Sequence, residues 1–156
     1  MLKKVTPEHK QEILTNYYDI HHSRFQKQVS DILIQNKQCL IIDGHSFSSI
    51  KLPYELCDNS VRPDICLGTD KFHTPDYITE YFYNEFQKRG YTVRINTPFS
   101  GTIIPLKFYN KNKNAMSIMI EINRFLYMDE KTGMKTNSFN KVKGDISETI
   151  QTFASN

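Results

Sequence analysis

The stretch Cys39–Ser49, CLIIDGHSFSS, carries an apolar run straight into a polar cluster. A continuous apolar run of this kind favours a strand inside a parallel or mixed sheet, where both faces of the strand are buried. We therefore predict a buried strand over residues 37–43. The polar residues after Asp43 are either a turn that ends this strand or one corner of an active site, and the stretch alone leaves both interpretations open.

A helix signal precedes this strand. Thr6 and Pro7 are an N-cap residue followed by proline at the first helical position. Apolar residues then recur mostly at spacings of three and four, which predicts a long amphipathic helix over residues 7–35. A break near His21 and His22 is the alternative to one continuous helix.

Two further helices are predicted downstream. Thr74–Asp76 repeats the threonine-proline start, and Gly90 ends this helix as a C-cap. The aromatic stripe on this helix is expected in the core: Tyr77, Tyr81, Phe82 and Phe86. The last helix is expected over residues 144–153.

The remaining apolar segments are typical of strands, and residues 46–63 and 96–101 are expected to be loops. The predicted strands cover residues 64–68, 91–96, 102–110 and 115–123. The resulting order of elements is typical of an α/β domain with a mixed sheet and helices on both faces. A chain of 156 residues fits a single domain, which we place at 1–156.

The composition excludes several classes of protein. The formal net charge of +3 is small and dispersed, so we expect no nucleic-acid partner. No apolar stretch approaches the roughly 18 residues of a membrane helix, and the N-terminus has no apolar core of a secretory signal. Three cysteines without a CxxC pair, Cys39, Cys57 and Cys66, are typical of reduced thiols in a cytoplasmic protein. Cys39 and Cys66 lie in apolar runs and are expected to be buried hydrophobic residues rather than nucleophiles.

A second polar residue ends an apolar strand in SIMIEINR, residues 117–124. A carboxylate in such a strand is costly to bury unless it is paired or does chemistry. Glu121 is therefore either a strand-end residue paired with Arg124 or a general base in a cleft. If its strand runs parallel to the strand that precedes His45, the two side chains meet at one rim of the sheet. The pattern leaves both interpretations open.

Four motifs occur in order after a tyrosine-rich helical segment, YYDIHHSRF. They are IDGHSFSS, RPDICLGTD, NTPFSGT and IMIEINRFLYMDE. Together they resemble the signature blocks of the N-formylglutamate amidohydrolase family over about residues 14–130. The strand-borne histidine and glutamate also resemble, more distantly, the second half of the zinc carboxypeptidases. This resemblance implies a three-layer α/β/α sandwich and a cytoplasmic hydrolase of linear amide bonds.

The resemblance also implies roles for the two strand-end residues. His45 would be a zinc ligand, and Glu121 would be the general base that activates a water molecule. Asp43 or Ser46 would orient the imidazole of His45. Zinc is the implied cofactor.

The implied substrate is a small acidic N-acyl amino acid such as N-formylglutamate. Arg62 and Arg124 would hold its carboxylates, and Asn96 with Ser100 and Gly101 would line the pocket. Each arginine has a structural alternative. Arg62 would instead anchor its loop to Asp58 or Asp64, and Arg124 would instead neutralise Asp129 or Glu130. The other histidines are expected at the surface or in packing: His21, His22 and His73.

The chain departs from the family pattern before His45, because it has no upstream motif for the first two zinc ligands. It resembles the C-terminal portion of a family member, truncated at the N-terminus. We expect one edge of the core to be open and covered by a homodimer or a partner chain. Besides a metal-dependent amidohydrolase, two hypotheses therefore stand: a non-catalytic remnant, and one half of a split enzyme that depends on a partner.

Overall fold

A computed structural model describes residues 5–53, 55 and 62–155. Its helices are α1 (Pro7–Ile13), α2 (Asp19–Asn36), α3 (Asp76–Lys88) and α4 (Phe139–Ser155). Its strands are β1 (Cys39–Phe47), β2 (Ile65–Gly68), β3 (Val93–Ile95) and β4 (Ala115–Asn123). A π-helical segment, Leu14–Tyr18, joins α1 to α2, and a 3₁₀ turn, Arg124–Leu126, follows β4.

The strands form one sheet in the order β1-β4-β2-β3. β1 runs parallel to β4 and β2 runs parallel to β3, whereas β2 and β4 are antiparallel. The sheet is therefore mixed, as predicted. β4 lies in the interior of the sheet, and seven of its residues in succession, Ala115–Glu121, are buried.

Helices cover both faces of the sheet. On one face, Ile118 and Ile120 of β4 pack with Phe82 and Phe86 of α3. On the other face, Val29 of α2 packs with the first residues of β1 and β4. Because side chains alternate across a strand, β1 and β4 each contribute to both cores. This arrangement is the three-layer α/β/α sandwich that the resemblance implies.

The first helix begins as predicted but is irregular at another place. The Thr6 side chain accepts a hydrogen bond from the His9 amide at 3.2 Å, and Pro7 follows it. The irregularity is the π-helical segment Leu14–Tyr18, so the alternative break near His21 and His22 is wrong. Neither α1 nor the π-helical segment has a buried residue, so tertiary packing begins only within α2.

The predicted strand at residues 102–110 is not a strand. Pro105 lacks an amide for a sheet ladder, and Phe108 and Tyr109 donate their amides to its carbonyl in a turn. The apolar side chains Ile104 and Phe108 are nevertheless buried, because they pack against α2. The apolar content of this segment therefore indicates burial and not strand structure.

Other boundaries also differ from the predictions. β1 continues past Asp43 to Phe47, because its parallel pairing with β4 extends over that whole length. The last helix begins at Phe139, five residues before the predicted start, and Tyr77 is exposed rather than in the core. α3 ends one residue earlier than predicted: its C-cap is Arg89, and Gly90 follows the cap at φ 89°.

Cys39 and Cys66 are buried, as expected, and Cys57 lies outside the described residues. Among the residues that the structure describes, no helix has the length and apolar character needed to cross a membrane.

Candidate active site

His45 and Glu121 are brought together by the parallel pairing of β1 and β4. They are register partners, so their side chains leave the same face of the sheet at the same level. Glu121 is buried, with 8% of its surface exposed. The His45 side chain is 51% exposed. The arrangement places a buried carboxylate beside an imidazole that solvent and ligands can reach.

Asp43 is the described partner of the His45 ring. It lies two residues before His45 on the same face of β1, and its Oδ1 is 2.8 Å from His45 Nε2. Ser46 lies on the opposite face, where it is the register partner of Ile122. Of the two residues predicted to orient the imidazole, the geometry therefore favours Asp43 and places Ser46 away from the ring.

The electrostatic surroundings of Glu121 favour its protonated form. Burial raises the pKa of its carboxyl group above the ordinary value, and the negative charge of Asp43 adds to this. His45, Arg124 and Arg62 act in the opposite direction without reversing the shift. Glu121 Oε2 is buried and has no hydrogen-bond partner among the described residues. A carboxyl group whose pKa is raised in this way is a candidate for both accepting and donating a proton in a reaction.

Cys66 lies on the other side of Glu121 and was not predicted to belong to this face. It is the register partner of Glu121 on β2, and its Sγ is 3.2 Å from the carbonyl oxygen of Phe99. Burial raises the pKa of the Cys66 thiol, so it remains neutral. It fills the floor of the site as a small hydrophobic residue.

Arg62 is held in a buried ion pair with Glu55. Its Nη1 is 2.5 Å from Glu55 Oε2 and its Nη2 is 2.9 Å from Glu55 Oε1. The two side chains are 4% and 6% exposed. The guanidinium also stacks on the rings of Phe47 and Phe99, at 5.1 and 5.7 Å from their centroids. Glu55 was not predicted for this site.

Of the two predicted alternative partners of Arg62, Asp64 bonds to another residue. Asp64 accepts hydrogen bonds from the amide and the hydroxyl of Thr92, each at 2.8 Å. Asp58 lies outside the described residues. The contact of Arg62 with a substrate carboxylate stays a prediction.

Arg124 pairs with Glu130, as its structural alternative predicted. The distance from Arg124 Nε to Glu130 Oε1 is 3.3 Å. Glu130 also accepts hydrogen bonds from the Ser49 amide, at 3.1 Å to each oxygen, and from the Ser49 hydroxyl. Burial alone would raise the pKa of Glu130, but the bonds from Ser49 and Arg124 outweigh it and lower the pKa. Glu130 thus ties the segment after β1 to the segment after β4.

The predicted pocket-lining loop lies against the end of β2. Asn96 accepts a hydrogen bond from the Thr69 amide at 2.9 Å and donates to the Thr69 hydroxyl at 2.8 Å. A Cβ atom on Gly68 would overlap the carbonyl oxygen of Gly101. The two backbones can lie this close only because residue 68 has no side chain. Ser100, next to Gly101, is exposed.

The remaining histidines lie outside this cluster. His73 is fully buried, and its Nδ1 is 2.8 Å from the Ala115 carbonyl oxygen. Its Nε2 accepts a hydrogen bond from the Asn110 amide at 2.9 Å, so the ring is a neutral packing group. His21 and His22 lie in α2 and contact each other and Tyr18 or Phe25.

The described residues do not by themselves fit a zinc ion. Within residues 5–53, 55 and 62–155, no group of three His, Cys, Asp or Glu side chains could hold a metal. A catalytic zinc site needs three protein ligands and one open position. In the part of the chain that the structure describes, His45 is therefore one potential ligand without a complete set.

Comparison with known proteins identifies the kind of protein to which this arrangement belongs. The family model for N-formylglutamate amidohydrolase matches residues 1–128. No curated protein matches the chain in sequence. The crystal structure of N-formylglutamate amidohydrolase from Ralstonia eutropha JMP134 superposes with a TM-score of 0.83 at 22% sequence identity. The match covers 98% of this chain and 55% of that chain, so this chain spans about half the length of that protein. The chain belongs to the N-formylglutamate amidohydrolase family.

Proposed function

We propose that this chain carries the acid–base centre of an amidohydrolase that acts on a small acidic N-acyl amino acid such as N-formylglutamate. The observation that supports this most directly is Glu121. A buried carboxylate with an unpartnered oxygen lies level with an accessible imidazole on a rigid pair of strands. Groups held on strands keep their geometry better than groups on loops.

In the proposed reaction, Glu121 first accepts a proton from the water molecule that attacks the amide carbonyl. It then gives this proton to the nitrogen of the departing amino acid. One group can perform both steps when its pKa is shifted towards the working pH, and burial shifts the pKa of Glu121 upward in that direction. Asp43 fixes the orientation of His45 beside it.

Substrate recognition is proposed to rest mainly on Arg124. Its side chain remains partly exposed beside Glu130 and lies close enough to influence Glu121. A guanidinium matches a carboxylate in shape and charge. Arg62 would bind a substrate carboxylate only by giving up its bidentate pairing with Glu55. Asn96, Ser100 and Gly101 are proposed to line the same pocket.

Zinc dependence is proposed from the family resemblance, with His45 as one ligand. The other ligands would come from outside the described residues, since these contain no three-ligand group. This incompleteness favours a second candidate, in which the chain is a partner-dependent half of the enzyme or a non-catalytic remnant. The two candidates differ in whether the chain turns over substrate alone.

The test is release of glutamate from N-formyl-L-glutamate, with and without added zinc, by wild type, Glu121→Gln and Glu80→Gln. Glu80 is an exposed residue of α3 and serves as the matched control. We expect Glu121→Gln to lose at least about 100-fold in rate while Glu80→Gln keeps the wild-type rate. Turnover retained by Glu121→Gln would refute the base assignment. An inactive wild type would favour the second candidate.

A further inference from the structure

Three buried polar atoms at the acid–base centre have no hydrogen-bond partner among the described residues. They are Glu121 Oε2, Asn123 Oδ1 and Arg62 Nε. The side chain of Arg62 is 4% exposed, and Asn123 is 1% exposed. A buried polar group without a partner costs free energy, so most such groups in folded proteins bind protein atoms or ordered water. These atoms therefore need a polar partner other than the described side chains.

The three residues lie over one part of the sheet. Glu121 and Asn123 are two positions apart on β4, so their side chains leave the same face at a spacing of about 7 Å. The guanidinium of Arg62 stacks on Phe47, which is the register partner of Asn123. It also stacks on Phe99, whose ring contacts that of Phe47. The charge of Arg62 acts on the Glu121 carboxylate, so the three unpartnered atoms belong to one place in the fold.

The Asn123 amide has one orientation that fits its surroundings. Its Nδ2 donates to the Pro63 carbonyl oxygen at 3.0 Å, and its backbone amide donates to the Asp64 carbonyl oxygen at 2.9 Å. Turning the side-chain amide over would lose the first bond and place two carbonyl oxygens against each other. Oδ1 is therefore an acceptor that needs a donor. The same bonds fix the segment that follows Arg62 to the strand that carries Glu121.

One water molecule matches the three atoms in number and in kind. A water molecule both accepts and donates hydrogen bonds, and a buried one typically makes about three. Arg62 Nε–H is a donor, whereas Asn123 Oδ1 and the carboxylate oxygen Glu121 Oε2 are acceptors. A cation at this place would face the guanidinium, and an anion would face two acceptor oxygens. Coulomb repulsion therefore makes both less suitable than water.

We propose that one internal water molecule joins Arg62 Nε, Asn123 Oδ1 and Glu121 Oε2, and that Asn123 is thereby a positioning residue for Glu121. The water molecule fixes the Oε2 end of the carboxylate and leaves Oε1 to take the proton in the reaction. Asn123 acts on the base through this water molecule. The water site stands on the described contacts alone, whereas its effect on turnover rests on the proposed function.

Crystal structures of wild type and two variants test the water site. In wild type we expect an ordered water molecule within about 3.2 Å of all three atoms. Asn123→Leu removes the acceptor at nearly the same side-chain volume and should lose the water molecule. Asn123→Asp keeps an acceptor oxygen at that place and should retain it. The proposal is overturned if wild type has no water molecule there, or if Asn123→Leu retains it.

The position of Glu121 is measured by carbon NMR of its carboxyl group, with the signal assigned by its loss in Glu121→Gln. Asn123→Leu should move this signal, because the carboxylate loses its bond to the water molecule. Ser117→Ala is the matched control and should leave the signal in place. Ser117 is fully buried on the same face of β4, where its hydroxyl binds that of Thr102 at 2.5 Å. An equal change in both variants would refute the positioning role.

Release of glutamate from N-formyl-L-glutamate connects the water site to the reaction. Asn123→Leu should lower kcat at least about tenfold with little change in KM, because a displaced base affects the transition state more than substrate binding. Ser117→Ala should keep the wild-type kcat. An equal loss of kcat in the two variants, or a raised KM with kcat unchanged in Asn123→Leu, would contradict the positioning role.

Failure of the proposed function has a different signature. Wild type would then release no glutamate, although its crystal structure contains the water molecule and the Glu121 signal responds to Asn123→Leu alone. That result would support the water site and the positioning of Glu121 while it refutes the hydrolysis of this substrate by the chain.

Discussion

The imidazole of His45 and the carboxylate of Glu121 lie side by side because the two residues are register partners on parallel strands. Their separation is set by the hydrogen-bonded ladder between β1 and β4. Asp43 extends the same row on β1, and Cys66 extends it on β2. These four groups are therefore all held on the sheet.

Replacing Glu121 by glutamine is expected to change how stability depends on pH. The pKa of Glu121 in the folded protein lies above its ordinary value of 4.5, so the folded state favours the protonated form. The raised pKa stabilises the folded protein fully at pH values below the unfolded pKa, and this stabilisation is lost as the pH rises through the folded pKa. Glu121→Gln stays neutral at both pH values. Its free energy of unfolding relative to that of wild type should therefore be higher at about pH 8 than at about pH 4. Urea denaturation of both proteins at the two pH values measures this difference in the free energy of unfolding.

The matched control for this experiment is Glu80→Gln, which removes an exposed carboxylate. Its stability difference from wild type should hardly change with pH. A pH-independent difference for Glu121→Gln as well would mean that its pKa is not raised by folding.

The ion pair between Arg62 and Glu55 is expected to be structural. Removing one member of a buried pair leaves an uncompensated charge and costs about 3–5 kcal/mol. Glu55→Ala and Arg62→Met should each lower the free energy of unfolding by that order, and the double variant should lose less than the sum. Thermal and urea denaturation measure these losses. If Arg62→Met instead kept its stability and raised KM, Arg62 would be a substrate ligand.

Arg124 is expected to distinguish acidic from neutral substrates. Arg124→Ala should raise KM for N-formyl-L-glutamate more than for N-formyl-L-alanine, because only the first has a side-chain carboxylate. Arg24→Ala, an exposed arginine of α2, is the control and should affect neither substrate. An equal effect of Arg124→Ala on both substrates would contradict the proposed carboxylate contact.

Glu130 is expected to stabilise the connection between the segments that follow β1 and β4. Glu130→Ala removes the acceptor for Ser49 and the partner of Arg124, which should cost about 1–3 kcal/mol. Since the pKa of Glu130 is lowered, this stabilisation exists at neutral pH and is lost as the pH falls through the folded pKa. Equal losses at neutral and acid pH, measured by urea denaturation, would refute this.

Zinc is expected to bind weakly to the chain alone. Among the described residues no three-ligand group is present, so dialysed wild type and His45→Ala should contain equally little metal by elemental analysis. One zinc ion per isolated wild-type chain, absent in His45→Ala, would show that ligands outside the described residues suffice.

Much of the fold was predictable because its signals are local. The predicted strand at residues 115–123 matches β4 at both ends, since its apolar run has few alternatives to burial. The strand predicted at 102–110 failed because apolar residues near Pro105 reach the core from a turn. β1 was predicted too short, since Gly44–Ser46 has the composition of a turn although it pairs with β4.

The site was predictable only in part, because its contacts join distant segments. His45 and Glu121 were predicted because they are polar residues at the ends of apolar strands. That the two lie together depends on a parallel register, which no local pattern specifies. Glu130 binds Ser49 across 81 positions of the chain, and nothing near either residue indicates the pairing. Glu55 and Arg62 are only seven residues apart, but both lie in the predicted loop, where no periodicity relates their side chains.

The close approach of Gly68 to Gly101 affects how a mutational scan of this chain would be interpreted. Any side chain at position 68 would displace the loop that carries Ser100, together with the neighbouring side chain of Met119. A saturation library scored by activity would thus rank residue 68 beside the acid–base residues, although it offers the reaction no functional group. Intolerance to substitution would there report contact between two stretches of main chain, and a design that moves the loop would have to begin with that contact.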